Sequence, residues 1–206
     1  MNLDAFNIDD ILKVHPKLVV HNDDLQMYER LNIKNHEAVI AGGCALSWYT
    51  RQPVGKKDID IWFPNQKRLE AMSQELLSNS KFRKVYDTKD AETYKYQKPD
   101  SEYYRIQLIK NRFFAYPTDV IDAFDITVCQ IATDGETWWI GDQFSQDLKN
   151  RRLRLIKTHS GSVKRLLKYW TYGFQPEDTE LQAIIDNLEV KWDYESNTDE
   201  EYANAI

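Results

Sequence analysis

Two carboxylates with one residue between them, Asp58 and Asp60 in the run Asp58-Ile59-Asp60-Ile61-Trp62, have the types and spacing that point most directly to chemistry. Side chains on a strand alternate faces, so the two acids project together, about 7 Å apart, while Ile59 and Ile61 turn toward a core. Carboxylates held that close repel unless a cation lies between them, and hard oxygen ligands suit Mg²⁺ or Mn²⁺. Upstream, an apolar run from Ala38 to Ala41 reaches Gly42 and Gly43 and then a segment with helical spacing. A glycine pair between strand and helix lets the backbone approach a phosphate, whose charge the helix N-terminus favours. The same pair also serves as a plain tight turn. Ser47 on the helical segment and Lys57 just before the acids complete the candidate nucleotide-binding residues of this stretch.

A third acid is expected further on. Val120 to Ile131 is nearly continuously apolar and reads as a buried central strand, so an acid within it needs a partner. Asp122 and Asp125 are three apart and face opposite sides of a regular strand. Only one can join Asp58 and Asp60; Asp125 is the candidate, with Asp122 its substitute if a bulge changes the face. Three carboxylates suffice to hold two divalent ions, which orient a nucleoside triphosphate and lower the pKa of an attacking hydroxyl. A basic helix face with Lys164, Arg165 and Lys168 is either a contact to the phosphates or an ordinary solvated face. Against this stand readings of Asp58 and Asp60 as solvated edge-strand acids or as the manganese-binding pair of a glycosyltransferase. A haloacid dehalogenase-type phosphatase is disfavoured, because Gly55, Lys56 and Lys57 precede Asp58 where that type has a fully apolar strand.

Together these residues resemble the DNA polymerase beta-like nucleotidyltransferase superfamily. Gly42 and Gly43 match its glycine turn, Asp58 and Asp60 its paired acids, and Asp125 in Phe-Asp-Ile its third acid. The segment Val163 to Phe174, VKRLLKYWTYGF, is similar to the helix ending in Gly-Phe that closes the head and neck of CCA-adding enzymes and poly(A) polymerases. The resemblance covers roughly Glu37 to Phe174. It departs from the pattern in two places: fourteen residues separate Gly43 from Asp58, and Ala45, Leu46 and Ser47 stand where CCA-adding enzymes often carry an Arg-Asp pair. The resemblance implies transfer of a nucleoside monophosphate from a nucleoside triphosphate to a hydroxyl, with pyrophosphate released and two Mg²⁺ or Mn²⁺ ions at Asp58, Asp60 and Asp125. The acceptor would be an RNA 3′ end, a protein hydroxyl as in toxin-type relatives, or a small molecule. A catalytically inactive interaction module with the same fold is the alternative.

The elements that must position these residues are legible in outline. The expected fold is α/β: a mixed, mostly antiparallel sheet with helices packed on it and a small helical part at the end. Asp23 to Asn32 has helical spacing, and Asn65 caps a helix running through Ser78 with Leu69, Met72, Leu76 and Leu77 on one stripe. Lys81 to Tyr86 and Tyr103 to Lys110 read as strands, with Thr88 to Glu102 a polar hairpin or loop between them. Trp138 to Ile140 and Leu153 to Ile156 read as short strands, and Asp142 to Lys149 as a short helix. Ser160 or Ser162 then caps a helix with Val163, Leu166, Leu167, Trp170 and Phe174 on one face; Gly173 stops it. Asp178 starts a last helix to about Leu188. The expected division is a catalytic domain over 1–158, a helical extension over 159–190 and an acidic tail over 191–206.

Composition narrows the partners. The 206 residues include 6 Trp, 12 Tyr and 8 Phe, enough to build a core. The two cysteines, Cys44 and Cys129, sit in apolar runs with no metal-type spacing, which predicts buried thiols in a reducing compartment. An acidic amino-terminal stretch and the lack of an 18-residue apolar run point to a cytoplasmic chain off the membrane. The net charge of −6 is uneven: from Glu177 onward ten acids face one lysine, which leaves residues 1–176 at +3. A mildly basic body suits a nucleotide or RNA. The basic run Lys149 to Arg154 and the tyrosines Tyr94, Tyr96, Tyr103 and Tyr104 are either contacts to nucleic acid or ordinary surface and packing.

Overall fold

The computed structural model describes residues 27, 29–51, 58–97, 103–158 and 161–192, with side chains to residue 186. Lys57, Ser160, half of the expected Asp23–Asn32 helix and the tail beyond residue 192 lie outside them. Seven strands make one sheet: β1 (Val39–Ala41), β2 (Asp58–Trp62), β3 (Phe82–Asp87), β4 (Ala91–Gln97), β5 (Tyr103–Ile109), β6 (Ile131–Thr133) and β7 (Trp138–Ile140). Their order is β3-β4-β5-β2-β1-β6-β7. Only the β2–β5 ladder is parallel; the others are antiparallel, as expected of a mixed, mostly antiparallel sheet.

The two faces of the sheet are covered differently. Ile59 and Ile61 turn into the main core, where they join Leu46 and Trp48 of α1 (Gly43–Thr50) and Leu69 and Met72 of α2 (Gln66–Ser78). Each such side chain contributes roughly 1.5–3 kcal/mol by leaving water. Asn65 caps α2 as expected, its side-chain oxygen accepting from the Arg68 N–H at 3.0 Å. Leu77 departs from the expected stripe and is 57% exposed, while Ser73 takes the buried place beside Tyr94 and Glu92. On the opposite face a smaller core of Val39, Ala41, Val120, Ile121 and Ala132 collects Trp62, Phe114, Phe124 and Trp139 around it.

Three expectations are corrected. Residues inside Thr88–Glu102 form strand β4, because Ala91, Thr93, Tyr94 and Tyr96 bury themselves between β3 and β5. Val120–Ile131 is no strand: it divides into helix α3 (Pro117–Asp122), a 3₁₀ turn (Thr127–Cys129) and the start of β6. Pro117 at the first helical position is pre-set for a helix, and a continuously apolar run does not by itself separate buried helix from buried strand. The helix after residue 160, α5 (Ser162–Thr171), buries Ser162, Leu166 and Tyr169, leaving Leu167 and Trp170 each 40% exposed. Gly173 ends it with φ +86°. Between and beyond these lie α4 (Phe144–Lys149), a parallel pair β8 (Arg152–Leu153) and β9 (Gln175–Pro176), and α6 (Asp178–Trp192). Two cations of the basic run Lys149–Arg154 are engaged by acids, Arg154 by buried Asp147 and Arg152 by Glu177, while Lys149 and Arg151 are exposed. Among the described residues no helix is long and apolar enough to cross a membrane, and the thiols of Cys44 and Cys129 are buried.

Candidate active site

The strand order gathers the candidate residues at one end of the sheet. β1 runs antiparallel to both β2 and β6, so the turn that leaves β1 at Gly42 meets the beginnings of both neighbours. β5 runs parallel to β2 and sets Arg105 directly opposite Asp58. Asp58 and Asp60 share the face away from the main core, each partly exposed, with Ile59 and Ile61 buried between and after them. The Arg105 Nε lies 3.5 Å from Asp58 Oδ1.

Asp60 is the electrostatic anomaly. Its Oδ1 is buried and has no hydrogen-bond partner among the described residues. Burial first, and the neighbouring Asp58 charge second, push its carboxyl up to about 7, with Lys168 opposing them. An ionised carboxylate left in that position is costly, and a cation is the chemical remedy. The pair Asp58 and Asp60 therefore fits a hard divalent ion by donor type and by its unsatisfied oxygen.

The glycine turn lies beside it. Gly42 adopts φ +75° and caps α1, its N–H spent on the Ile131 carbonyl at 2.9 Å and its carbonyl taken by the Leu46 N–H. Helix geometry leaves the Gly43 amide without an intrahelical acceptor, and among the described residues no side chain caps the turn. A side chain on either glycine would collide: a Cβ at Gly42 would sit 3.0 Å from the Phe124 ring and one at Gly43 2.9 Å from the Tyr169 hydroxyl. Ser47 sits half-buried one turn further along α1. Tyr169 was not legible as a site residue. Its signal is that Ser162, Arg165 and Tyr169 fall on one helix stripe.

Asp125 is placed differently from the expectation. It is 2% exposed and lies in the segment before the 3₁₀ turn. Its oxygens accept from Arg165 Nε at 3.0 Å, from Arg165 Nη2 at 2.7 Å and from Ser162 Oγ at 2.5 Å. Burial alone would raise its carboxyl, but Arg165 and Ser162 outweigh burial and hold it below the usual carboxylate range. Among the described residues no three acidic, histidine or cysteine side chains are grouped to hold a metal. The expected triad is thus present as a pair plus a carboxylate engaged by arginine. Asp122 is exposed on α3, its backbone carbonyl accepting from Lys157. Arg165, expected on phosphates, is the clamp on Asp125; Ser162, expected as a cap, completes it. Lys164 and Lys168 are exposed on α5, and of the two Lys168 acts on Asp60.

A family model described as Gabija anti-defense 2 family protein matches residues 10–151. The chain belongs to the Gabija anti-defense 2 family. A curated relative, Gabija anti-defense 2 from Bacillus phage SPbetaL7, is 28% identical over 161 residues, which are 74% of this chain and 38% of that protein. Among solved structures, a CCA-adding enzyme in complex with CTP superposes with TM-score 0.63 at 16% identity, over 93% of this chain and 48% of that one. The Thermotoga maritima CCA-adding enzyme complexed with tRNA gives TM-score 0.61 at 16% identity, over 92% and 46%. A tRNA-processing enzyme with CTP gives 0.52 at 14% identity, over 74% and 43%. This member of the Gabija anti-defense 2 family thus has the nucleotidyltransferase fold and spans less than half the length of each of these proteins.

Proposed function

We infer that this chain is a metal-dependent nucleotidyltransferase, moving a nucleoside monophosphate from a nucleoside triphosphate to a hydroxyl, and that this activity serves to counter a Gabija defence. The observation that carries the reading is the Asp60 oxygen, buried, without a partner among the described residues and beside a second carboxylate at the glycine-turn end of the sheet. The fold shared with CCA-adding enzymes in complex with CTP and with ATP supports it.

Asp58 and Asp60 would hold Mg²⁺ or Mn²⁺. The bound ions would supply charge neutralisation at the triphosphate and a lowered pKa for the attacking hydroxyl. Gly42 and Gly43 give the triphosphate close backbone approach, with the Gly43 amide and the N-terminus of α1 toward it. Lys168 contributes positive charge on the side of α5. Arg105 balances Asp58 from the neighbouring strand. Asp125 acts through its clamp: by fixing Arg165 and Ser162 it seats α5, and with it Lys168 and Tyr169, against the turn. A direct role for Asp125 as third metal ligand would require Arg165 to leave it.

The test is pyrophosphate release from a nucleoside triphosphate and Mg²⁺ in the presence of a cell lysate as acceptor source. Asp58→Ala or Asp60→Ala abolishes it while circular dichroism shows the fold intact. Full turnover in either variant excludes the reading.

A further inference from the structure

One row of side chains runs outward from the carboxylate pair across four neighbouring strands. Asp58 on β2 is opposite Arg105 on β5, Arg105 is opposite Lys95 on β4, and Lys95 is opposite Arg83 on the edge strand β3. Residues opposite each other in a ladder share a face, so one acid is followed by three cations side by side on the face that bears Asp58 and Asp60. At about 4.8 Å per strand, the row from Arg105 to Arg83 is about 10 Å long.

Like charges directly opposite on adjacent strands destabilise a sheet. Among the described residues only the first cation of the row has an acid for company, Arg105 beside Asp58. Two carboxylates of the wing are used by other lysines, Asp87 by Lys84 and Lys110 and Glu92 by Lys84, and among the described residues Lys95 and Arg83 share in none of these pairs. Two tyrosines stand on the same face. Tyr103 on β5 is 44% exposed with Lys95 Nζ 4.1 Å from its ring centroid, and Tyr86 on β3 is 65% exposed. Tyr86 is opposite Thr93, one step along from Lys95, because a bulge between Lys84 and Tyr86 resets the register.

We propose that Arg83, Lys95 and Arg105, with Tyr103 and Tyr86, form a track for a single-stranded nucleic acid whose end reaches Asp58 and Asp60. The occupant follows from the chemistry. Cations at strand spacing suit successive phosphates, and exposed tyrosines among them offer ring faces to bases without regard to sequence. An acidic peptide would match the charges but would leave both rings unused. The inference rests on the nucleotidyl-transfer reading only for where the strand ends; the track itself is independent of it.

The probe is a fluorescein-labelled single-stranded oligonucleotide of about 12 nucleotides, titrated with the full chain by anisotropy at several salt concentrations. The double variant Arg83→Glu, Lys95→Glu should bind at least ~10-fold more weakly and lower the salt slope by about 2. Tyr103→Ala should weaken binding roughly 10-fold with the slope unchanged. Asp60→Asn should leave oligonucleotide binding intact while losing Mg²⁺-dependent nucleotide binding, so the track and the metal site fail separately. Wild-type affinity in the double variant, no oligonucleotide binding by the wild type, or competition by polyglutamate as strong as by unlabelled oligonucleotide would overturn the proposal.

Discussion

Asp60 carries an electrostatic cost that its proposed role as a metal ligand would offset. The folded chain holds the Asp60 proton up to about 7, whereas an ordinary carboxyl ionises near 3.8. The folded state therefore binds more protons between these values, and stability falls as pH rises through that window. Two outcomes follow. Asp60→Asn should raise the melting temperature at pH 8 and change it little at pH 4, measured by calorimetry without metal. Mg²⁺ should stabilise the wild type above pH 7 and progressively less as pH falls below it, because protonation competes with the ion. The opposite sign attaches to Asp125, whose clamp stabilises the fold above the ordinary carboxylate range and weakens as acid protonates it. Arg165→Ala would strand a buried charge. The expected loss is about 2–4 kcal/mol in denaturant unfolding, toward the lower part of the usual range because the Arg165 side chain is 42% exposed.

At the scale of elements, the turn between β1 and α1 combines a positive φ at Gly42 with close neighbours at both glycines. Gly42→Ala places a side chain at φ +75° and 3.0 Å from Phe124, so it should cost roughly 1–3 kcal/mol and lower nucleotide affinity together. Urea unfolding and a nucleotide titration read the two effects. This element was legible in the sequence, as were β2 and the Asn65-capped α2, because in each the local signal and the tertiary role coincide. A strand's alternation placed Asp58 and Asp60 on one face, and a helix's spacing placed Leu69, Met72 and Leu76 in the core. Val120–Ile131 was misleading for the converse reason. Val120 and Ile121 serve one core and Ile126, Val128 and Cys129 the other, so an unbroken apolar run hides a helix, a turn and a crossing between faces. Arg105 was invisible for another reason. Its place opposite Asp58 comes from a parallel ladder between strands more than forty residues apart, which nothing in either segment specifies.

For the whole molecule, the sheet order produces the site. β2 is central, with the glycine turn reached through β1 on one side and a cationic wing through β5 on the other, all at one end. Helix α5 closes the arrangement from the far end of the chain through Asp125, Cys129 and Gly43. Burial pushes the Cys129 thiol up to about 12, so the thiol stays neutral beside the Tyr169 hydroxyl, which is itself raised by burial. The chain belongs to the Gabija anti-defense 2 family and has the nucleotidyltransferase fold; nucleotidyl transfer that counters Gabija is the proposal that joins the two. The measurement that bears most directly on their union uses the same nucleoside triphosphate labelled in parallel reactions at the α- or the γ-phosphate, with Mg²⁺ and a lysate acceptor. Transfer of a nucleoside monophosphate predicts α-label in a macromolecular product and γ-label only in pyrophosphate, both lost in Asp60→Asn. Incorporation of the γ-label into the product, or α-label incorporation undiminished in Asp60→Asn, would contradict it.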